Sequence, residues 1–417
     1  MKVLVVGGGG REHAIVWKLA KSPQIDEIYA APGNPGIERL ATCVNIAVED
    51  IPGLAEFAKK NNIDLTVVGP EAPLVAGIVD EFKNRGLTVF GPDKAAAQIE
   101  GSKIFSKNLM KKYNIPTADY KVFEDPNDAI SCIDTAPMPI VVKADGLAAG
   151  KGVIIAPDRS TAKEAIKTMM IDKAFGKSGS RIVLEEYLEG PEVTVLAFCD
   201  GKRAVPMVSS RDHKRVFDNN KGPNTGGMGA VSPAPAYTPE IAEIVERDII
   251  QRTIDAMASE GAPFQGVLYT GLMITKNGPK VLEYNCRFGD PEAQVVIPRL
   301  KTDLVEVMQA VIDGDLTNAK IEWKSEVAVC VVIASGGYPG HYETGKIISG
   351  LDDAEKNGSI VFHAGTAEKD GKIITVGGRV LGVTALGKDV DEARKLAYES
   401  VSKIRFEGMH YRKDIGL

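Results

Sequence analysis

The stretch PIVVKADGLAAGKGVIIA, residues 139–156, places an apolar run, a lysine and a glycine-rich turn ahead of a second apolar run. Short β-branched runs bounded by glycine read as strands, and the glycines as the tip of the hairpin joining them. Lys143 follows Val141 and Val142, so its side chain leaves the sheet at a strand end beside that tip. A lysine there can meet an α-phosphate while the bare amides of Gly146 to Gly152 close over the β and γ groups. A snorkelling surface lysine is the other reading of the same pattern. The spacing G-x-x-x-x-G-K-[ST] is absent, because Gly152 stands where a hydroxyl residue would follow Lys151, and a Walker-type NTPase is thereby excluded.

Upstream, from Met1 to about Gly91, apolar runs (KVLVV, EIYAA, DLTVV, LTVF) alternate with helical patterns at Glu12–Lys21, Pro52–Lys60 and Pro73–Asn84. That alternation predicts a doubly wound parallel sheet whose glycine-bearing loops share one mouth beyond the strands' carboxyl ends. The first loop invites a dinucleotide reading, but no start at Gly7, Gly8 or Gly9 satisfies G-x-G-x-x-G, and Ala30-Ala31-Pro32 stands where an acidic residue would meet a ribose. Bare amides at a helix start still suit a single phosphate ester; a tight strand-to-helix turn is the plainer alternative.

Downstream, a helix is expected from about Ser102 to Tyr113 and another over Ser160–Met170, with strands at RIVLEEYL and EVTVLAF. The polar run SSRDHKRVFDNNKGPNTGGMG, residues 209–229, reads as a long functional loop. Its Arg211, His213, Lys214 and Arg215 form either a solvated turn or a site for developing negative charge. GVLYTGLMIT and KVLEYNC form a hairpin at Asn277-Gly278. Glu283 and Asn285, two apart, share a face and offer a carboxylate and an amide oxygen to magnesium, unless they are simply that strand's solvated side. In CRFGDPE, a buried Arg287 near Asp290 and Glu292 suits two-point contact with a small carboxylate. The tail (VAVCVVIAS, KIISG, SIVFHAG, KIITVGGRVLGVTAL, then a helix near Asp389–Ile404) reads as a separate α+β unit.

Composition bounds the rest. A chain of 417 residues has room for two to four domains. The net charge of −6, with 50 Lys and Arg against 56 Asp and Glu and no basic block, argues against nucleic acid and anionic membrane surfaces. Five scattered cysteines, none in C-x-x-C, fit reduced thiols rather than a disulfide or zinc framework. With no signal-like start and no long apolar run, the chain reads as a soluble intracellular, cytoplasmic protein, monomeric or else a homodimer.

Together VVGGGGREHA, APGNPG, VVGPEAPL, EGSK, PIVVKADGLAAGKGV, LEEYLEG, SRDHKRVFD, GPNTGGMGA, EYNCRFGDPE, FHAGT, GGRVLGVTALG and YRKDIG resemble the ATP-grasp enzymes over nearly the whole chain, and within them closely resemble the glycinamide ribonucleotide synthetase family. The glycine loop, strand lysine and E-x-N are shared across the superfamily; DHKR, GPNTGGMG, NCRFGDPE and GGRVL are the family-specific marks. The resemblance implies an N-terminal substrate-binding α/β domain (1–100), an ATP-grasp α+β domain (101–325, flap about 117–190) and a small C-terminal α+β domain (326–417). It implies a carbon–nitrogen ligase of purine biosynthesis that joins glycine to phosphoribosylamine through glycyl phosphate, using ATP with Mg²⁺ or Mn²⁺.

Carried onto this chain, Lys103, Lys143 and the flap with Gly150, Lys151 and Gly152 would hold the ATP phosphates. Glu185 and the backbone of Tyr187 and Leu188 would meet adenine, Glu192 the ribose, and Glu283 and Asn285 the metal. Many relatives place a further carboxylate on the preceding hairpin strand, where this chain has Thr270-Gly271. Arg287, Lys214 and Asp212 would be catalytic, with Arg287 facing the glycine carboxylate. Gly8, Gly9, Gly10, Gly33, Asn34, Gly36, Glu71, Asn224, Thr225, Gly226, Gly227, Met228 and Asp290 would contact substrate. An ATP-grasp carboxylase or dipeptide ligase, a nucleotide sensor and an NAD-dependent dehydrogenase are the rivals; the last fails on the glycine fingerprint.

Overall fold

The computed structural model describes residues 1–148 and 152–417, so Gly150 and Lys151 of the expected flap lie outside the described residues. The N-terminal region is a five-stranded parallel sheet in the order Thr42–Cys43, Glu27–Pro32, Lys2–Gly7, Leu65–Val68, Val89–Phe90. Val3 and Val5 pack into one apolar cluster and Leu4 and Val6 into another. Burial of both faces explains why KVLVV is an unbroken apolar run. The strand order reverses at Lys2–Gly7, which opens a crevice beyond Gly7 and Val68. The helix expected over Pro73–Asn84 is two helices, Glu71–Ala76 and Ile78–Asn84, because Gly77 turns left-handed at φ 102° between them.

Two antiparallel sheets follow. In one, Tyr120–Phe123, Ile182–Glu186, Ile140–Ala144 and Val153–Ala156 lie side by side, with Lys143 opposite Val153 and Val183. In the other, Glu192–Asp200 lies between Ala204–Pro206 and Gln265–Thr275, and the last pairs with Gly278–Asn285 across the Asn277-Gly278 turn. Helix Lys103–Lys112 points its start at the first sheet: Ser102 caps Phe105 N, and Asp145 accepts from Ser102 Oγ and Ile104 N, both at 2.9 Å.

The polar run is not a structureless loop. Arg211–Asp212 and Gly229–Ser232 pair with each other and join the C-terminal sheet through Val327–Ser335, while Arg215–Phe217 and Lys221–Asn224 form a small hairpin between them. That sheet continues through Arg379–Gly387 to Ile360–His363, under helix Val390–Val401. Strands from both the 101–325 and 326–417 segments thus share one sheet. KIISG adds only isolated bridges, Ile347 to Ile374 and Ser349 to Arg405.

Candidate active site

The mouth of the parallel sheet, the two antiparallel sheets and the polar run enclose a cavity of about 360 Å³. Of the residues expected in the site, Glu71, Lys103, Lys143, Gly152, Glu185, Asp212, Lys214, Thr225, Gly226, Glu283, Asn285, Arg287 and Asp290 line it. The sequence reading left out several others that do: Arg11, Glu100, Lys107, Tyr269 and Arg379.

The first wall is cationic. Lys143 is buried rather than surface-snorkelled: its Nζ donates to Glu185 Oε2 at 2.9 Å and to the Leu282 carbonyl at 3.0 Å, tying one sheet to the other. Lys107 Nζ reaches the same carboxylate oxygen at 3.0 Å and Thr117 Oγ1 at 2.7 Å. Helical spacing made Lys107 findable, since it lies four residues, one turn, beyond Lys103. Burial lowers Lys103 and brings Lys107 down to about 8, although Glu185 opposes the fall. Glu185 Oε1 is buried and has no partner among the described residues, so the carboxylate pinned by two lysines keeps one oxygen for an incoming donor.

A second wall holds the candidate metal residues. Gly271 faces Glu283 and Tyr269 faces Asn285 in the hairpin register, so no second carboxylate stands on the neighbouring strand at those positions. Burial opposes the Glu283 charge, but Lys214, Lys143 and Lys103 outweigh it and hold the carboxyl below its usual range. The Asn285 amide is assigned by its neighbours: only with the nitrogen turned toward them does it donate to the Tyr284 carbonyl, 3.0 Å away, and Glu100 Oε1, 3.1 Å away. Its oxygen is thereby left as the free end beside an ionised carboxylate. Two hard oxygens on one face fit a magnesium that keeps waters. Among the described residues no group of three or more His, Cys, Asp or Glu is placed to hold a metal.

Lys214 stands between the walls, 3.1 Å from Glu192 and 3.9 Å from Glu283. Burial alone would lower it, yet Glu192 and Asp212 raise it well above the ordinary lysine value. Asp212 is pushed up to about 8 by burial and by Glu292, Glu192 and Glu283, against the pull of Lys214. Of Arg211, His213, Lys214 and Arg215, Lys214 alone lines the cavity. Arg211 and His213 interact with each other and with the chain's end at Gly416–Leu417, and Arg215 bonds Gly222 within its own hairpin.

Arg287 anchors the third wall. Its Nε meets Glu71 Oε2 at 3.1 Å, its Nη2 meets Glu100 Oε1 at 3.0 Å, and Nη1 donates to the Phe288 carbonyl at 3.2 Å. Three of five donors are used, leaving two for a ligand. Burial works against Glu71, but Arg287 and Arg11 hold it down at about 2; burial wins at Glu100, which is raised. Asp290 pairs with Arg379 at 3.2 Å, and Arg379 also donates to the Gly226 carbonyl at 2.7 Å.

Several residues expected to contact substrate also make contacts within the scaffold. Gly9 N bonds Glu12 Oε2 at 2.7 Å, so that carboxylate occupies the helix start proposed for phosphate. A Cβ on Gly8 would lie 2.4 Å from the Gly33 carbonyl oxygen, on Gly10 2.6 Å from Gln294, and on Gly33 2.3 Å from Cys43 Sγ. Asn34 caps the short helix Pro35–Glu38 and donates to the carbonyls of Gly8 and His363, both at 2.9 Å. Gly36 sits against the His13 and His363 rings. Met228 is buried beside Val216 and Ala334, Gly227 is buried against Pro291, and Asn224 pairs with Arg215. Leu188 packs with Ala118 and Met273; it, Tyr187 and Glu192 stand outside the cavity lining.

The chain matches three family models in succession: the phosphoribosylglycinamide synthetase N domain over residues 1–100, its ATP-grasp (A) domain over 101–293 and its C domain over 328–417. It is 52% identical over 415 residues to a phosphoribosylamine–glycine ligase of Caldanaerobacter subterraneus, covering 100% of this chain and 99% of that one. It is 53% identical over 419 residues to the Vibrio vulnificus ligase of the same name, covering 100% and 98%. The crystal structure of the Thermotoga maritima phosphoribosylamine–glycine ligase superposes with a TM-score of 0.85 at 36% identity, covering 99% of this chain and 100% of that one. The biotin carboxylase domain of Hydrogenobacter thermophilus 2-oxoglutarate carboxylase, at 16% identity and TM-score 0.75 over 98% of this chain and 91% of that one, shares the fold alone.

Proposed function

The chain belongs to the phosphoribosylglycinamide synthetase family and is a ligase of the phosphoribosylamine–glycine type, and from that premise we propose that it joins glycine to 5-phosphoribosylamine in purine biosynthesis at the expense of ATP, through glycyl phosphate. The observation carrying this reading is that one cavity collects lysines for polyphosphate, an ionised Glu283 beside Asn285, and an arginine with donors to spare.

ATP lies along the first wall. Lys103, Lys107 and Lys143 meet its phosphates, and the free oxygen of Glu185 accepts from the adenine amino group. Glu283 and the Asn285 oxygen would hold magnesium, which would supply neutralisation of charge on the phosphate oxygens. Arg287 orients the glycine carboxylate through its two remaining donors. A carboxylate oxygen attacks the γ-phosphorus, the bond to the β-bridging oxygen breaks, and ADP leaves. Phosphoribosylamine lies at the end lined by Glu71, Thr225, Gly226 and Asp290. Its amine attacks the glycyl carbonyl carbon, inorganic phosphate departs with the former carboxylate oxygen, and the nitrogen sheds a proton. Asp212, whose carboxyl is raised by burial, is the carboxylate placed to take up that proton, and Lys214 offsets the negative charge beside it. Positioning and charge neutralisation account for most of the rate in such transfers.

The test is isotopic. Glycine labelled with heavy oxygen in its carboxylate transfers one label to inorganic phosphate if glycyl phosphate forms. Unlabelled phosphate alongside labelled amide product would rule that intermediate out.

A further inference from the structure

The hairpin Arg215–Asn224 buries a single apolar side chain, Val216, while Phe217 is 52% exposed. Apolar burial of that size does not order ten residues against their conformational entropy. Polar bonds from the far end of the chain do so instead. Arg412, 1% exposed, donates from Nη1 to the Arg215 carbonyl at 3.0 Å and from Nη2 to Asn220 Oδ1 at 3.1 Å. Asp414 grips the same guanidinium at 2.7 Å through both oxygens and accepts from Asn219 N at 2.8 Å. Lys413 N donates to Asp218 Oδ1 at 2.7 Å, and His410 Nε2 lies 2.8 Å from the Val216 carbonyl.

This tail is itself fixed from behind. Tyr398, on helix Val390–Val401, donates to the Arg412 carbonyl at 2.7 Å and accepts from Ile415 N at 3.1 Å, and Arg394 donates to the Ile415 carbonyl at 2.7 Å. On its other side the hairpin leads straight into the cavity. Lys214 immediately precedes it and Thr225 immediately follows it, joined by Thr225 N and Oγ1 to the Lys214 carbonyl at 2.8 and 2.7 Å.

We infer that the tail residues 410–414, with Arg412 at their centre, are positioning residues for the reaction: they hold the hairpin so that Lys214 and the Thr225–Gly226 turn stand at their places in the cavity. Arg412 touches no substrate and acts through Lys214. The inference rests on the proposed role of Lys214. Removing the brace lets Lys214 move by a fraction of an ångström to an ångström, and misplacement on that scale costs about 10- to 100-fold in rate. The nucleotide lysines stand on other elements, so ATP affinity is spared.

The experiment is a double-mutant cycle on the full chain with Lys214→Ala, Arg412→Ala and both together, reading kcat, the KM for each substrate and the Kd for ATP in binding titrations. Arg412→Ala should lower kcat about tenfold or more with ATP Kd unchanged, Arg412→Lys should recover part of the loss, and the double variant should be no slower than Lys214→Ala alone. Multiplying losses would mean Arg412 does not act through Lys214 and would overturn the inference while leaving the proposed function standing. A Lys214→Ala enzyme of full kcat would overturn both the Lys214 assignment and the inference. Should Arg412→Ala not fold, Asp414→Asn replaces it in the same cycle with the same criteria, since it loosens the guanidinium without removing it.

Discussion

Replacing Lys143 with methionine keeps the length of the side chain and removes its charge, and the consequences follow from the buried cluster around Glu185. Two bonds disappear, to Glu185 Oε2 and to the Leu282 carbonyl. Breaking a buried ion pair on one side costs about 3–5 kcal/mol, but Glu185 keeps Lys107 at 3.0 Å, so a loss of about 2 kcal/mol is expected. The change also has a pH signature. Lys107 stands at about 8 in the folded protein against 10.5 ordinarily, first because of burial and also because Lys143 repels it. Between those values the unfolded chain binds more protons than the folded one, so stability rises with pH across that window and the Lys107 contribution is least favourable below about 8. From pH 8 to about pH 9.5 the gain amounts to about 2 kcal/mol. Without Lys143 the repulsion vanishes, Lys107 moves up, and the gain shrinks. Denaturant midpoints of both proteins at pH 7.5, 8.5 and 9.5 read this directly, as the gap between them should widen with pH. Turnover of Lys143→Met should fall about 100-fold or more, ATP affinity with it. Parallel pH curves would refute the coupling of the two lysines, and near-normal turnover would refute their place on the phosphates.

Glu283→Gln retains shape but not charge, so it should need more magnesium and lose maximal rate by about two to three orders of magnitude; superimposable magnesium titrations of the two proteins would remove the metal assignment. Burial lowers His13 to about 3 and His363 to about 4, far below 6.5, so the contact between them is stable above pH 6.5 and loses stability as pH falls towards 4. His363→Phe should flatten that acid slope by about one proton in denaturant midpoints between pH 6.5 and 4.5; an unaltered slope would mean the pair does not report on folding. Gly36→Ala would put a Cβ 2.5 Å from both imidazoles and should cost about 1–3 kcal/mol, visible as a lowered thermal midpoint with the kinetic constants of the surviving enzyme intact.

What the sequence made legible was local. Alternating apolar runs and helical patterns located the parallel sheet, the Asn277-Gly278 turn located the hairpin carrying Glu283, and the position of Lys143 after two valines at a strand end placed it on the lining of the cavity. What it concealed depended on partners remote in the chain. APGNPG reads as a ligand loop because it is rich in glycine, yet Asn34 spends its amide on carbonyls 26 and 329 residues away. The run 209–229 reads as a loop because its strands lack apolar residues, and the groups that order it sit 192 to 197 positions further along. Arg287 reads as a buried guanidinium near Asp290 and Glu292, whereas the carboxylates that bond it, Glu71 and Glu100, reach it across 216 and 187 residues. Gly77 escaped notice because a single left-handed residue interrupts a helical pattern without disturbing its apolar spacing.

The central claim, that one cavity activates glycine with ATP and hands the acyl group to an amine, is tested most directly by ADP release. The purified chain with MgATP should release ADP at full rate only when glycine and phosphoribosylamine are both present, one ADP for each glycinamide ribonucleotide formed. Equal ADP release with glycine omitted, or with bicarbonate in its place, would contradict the account.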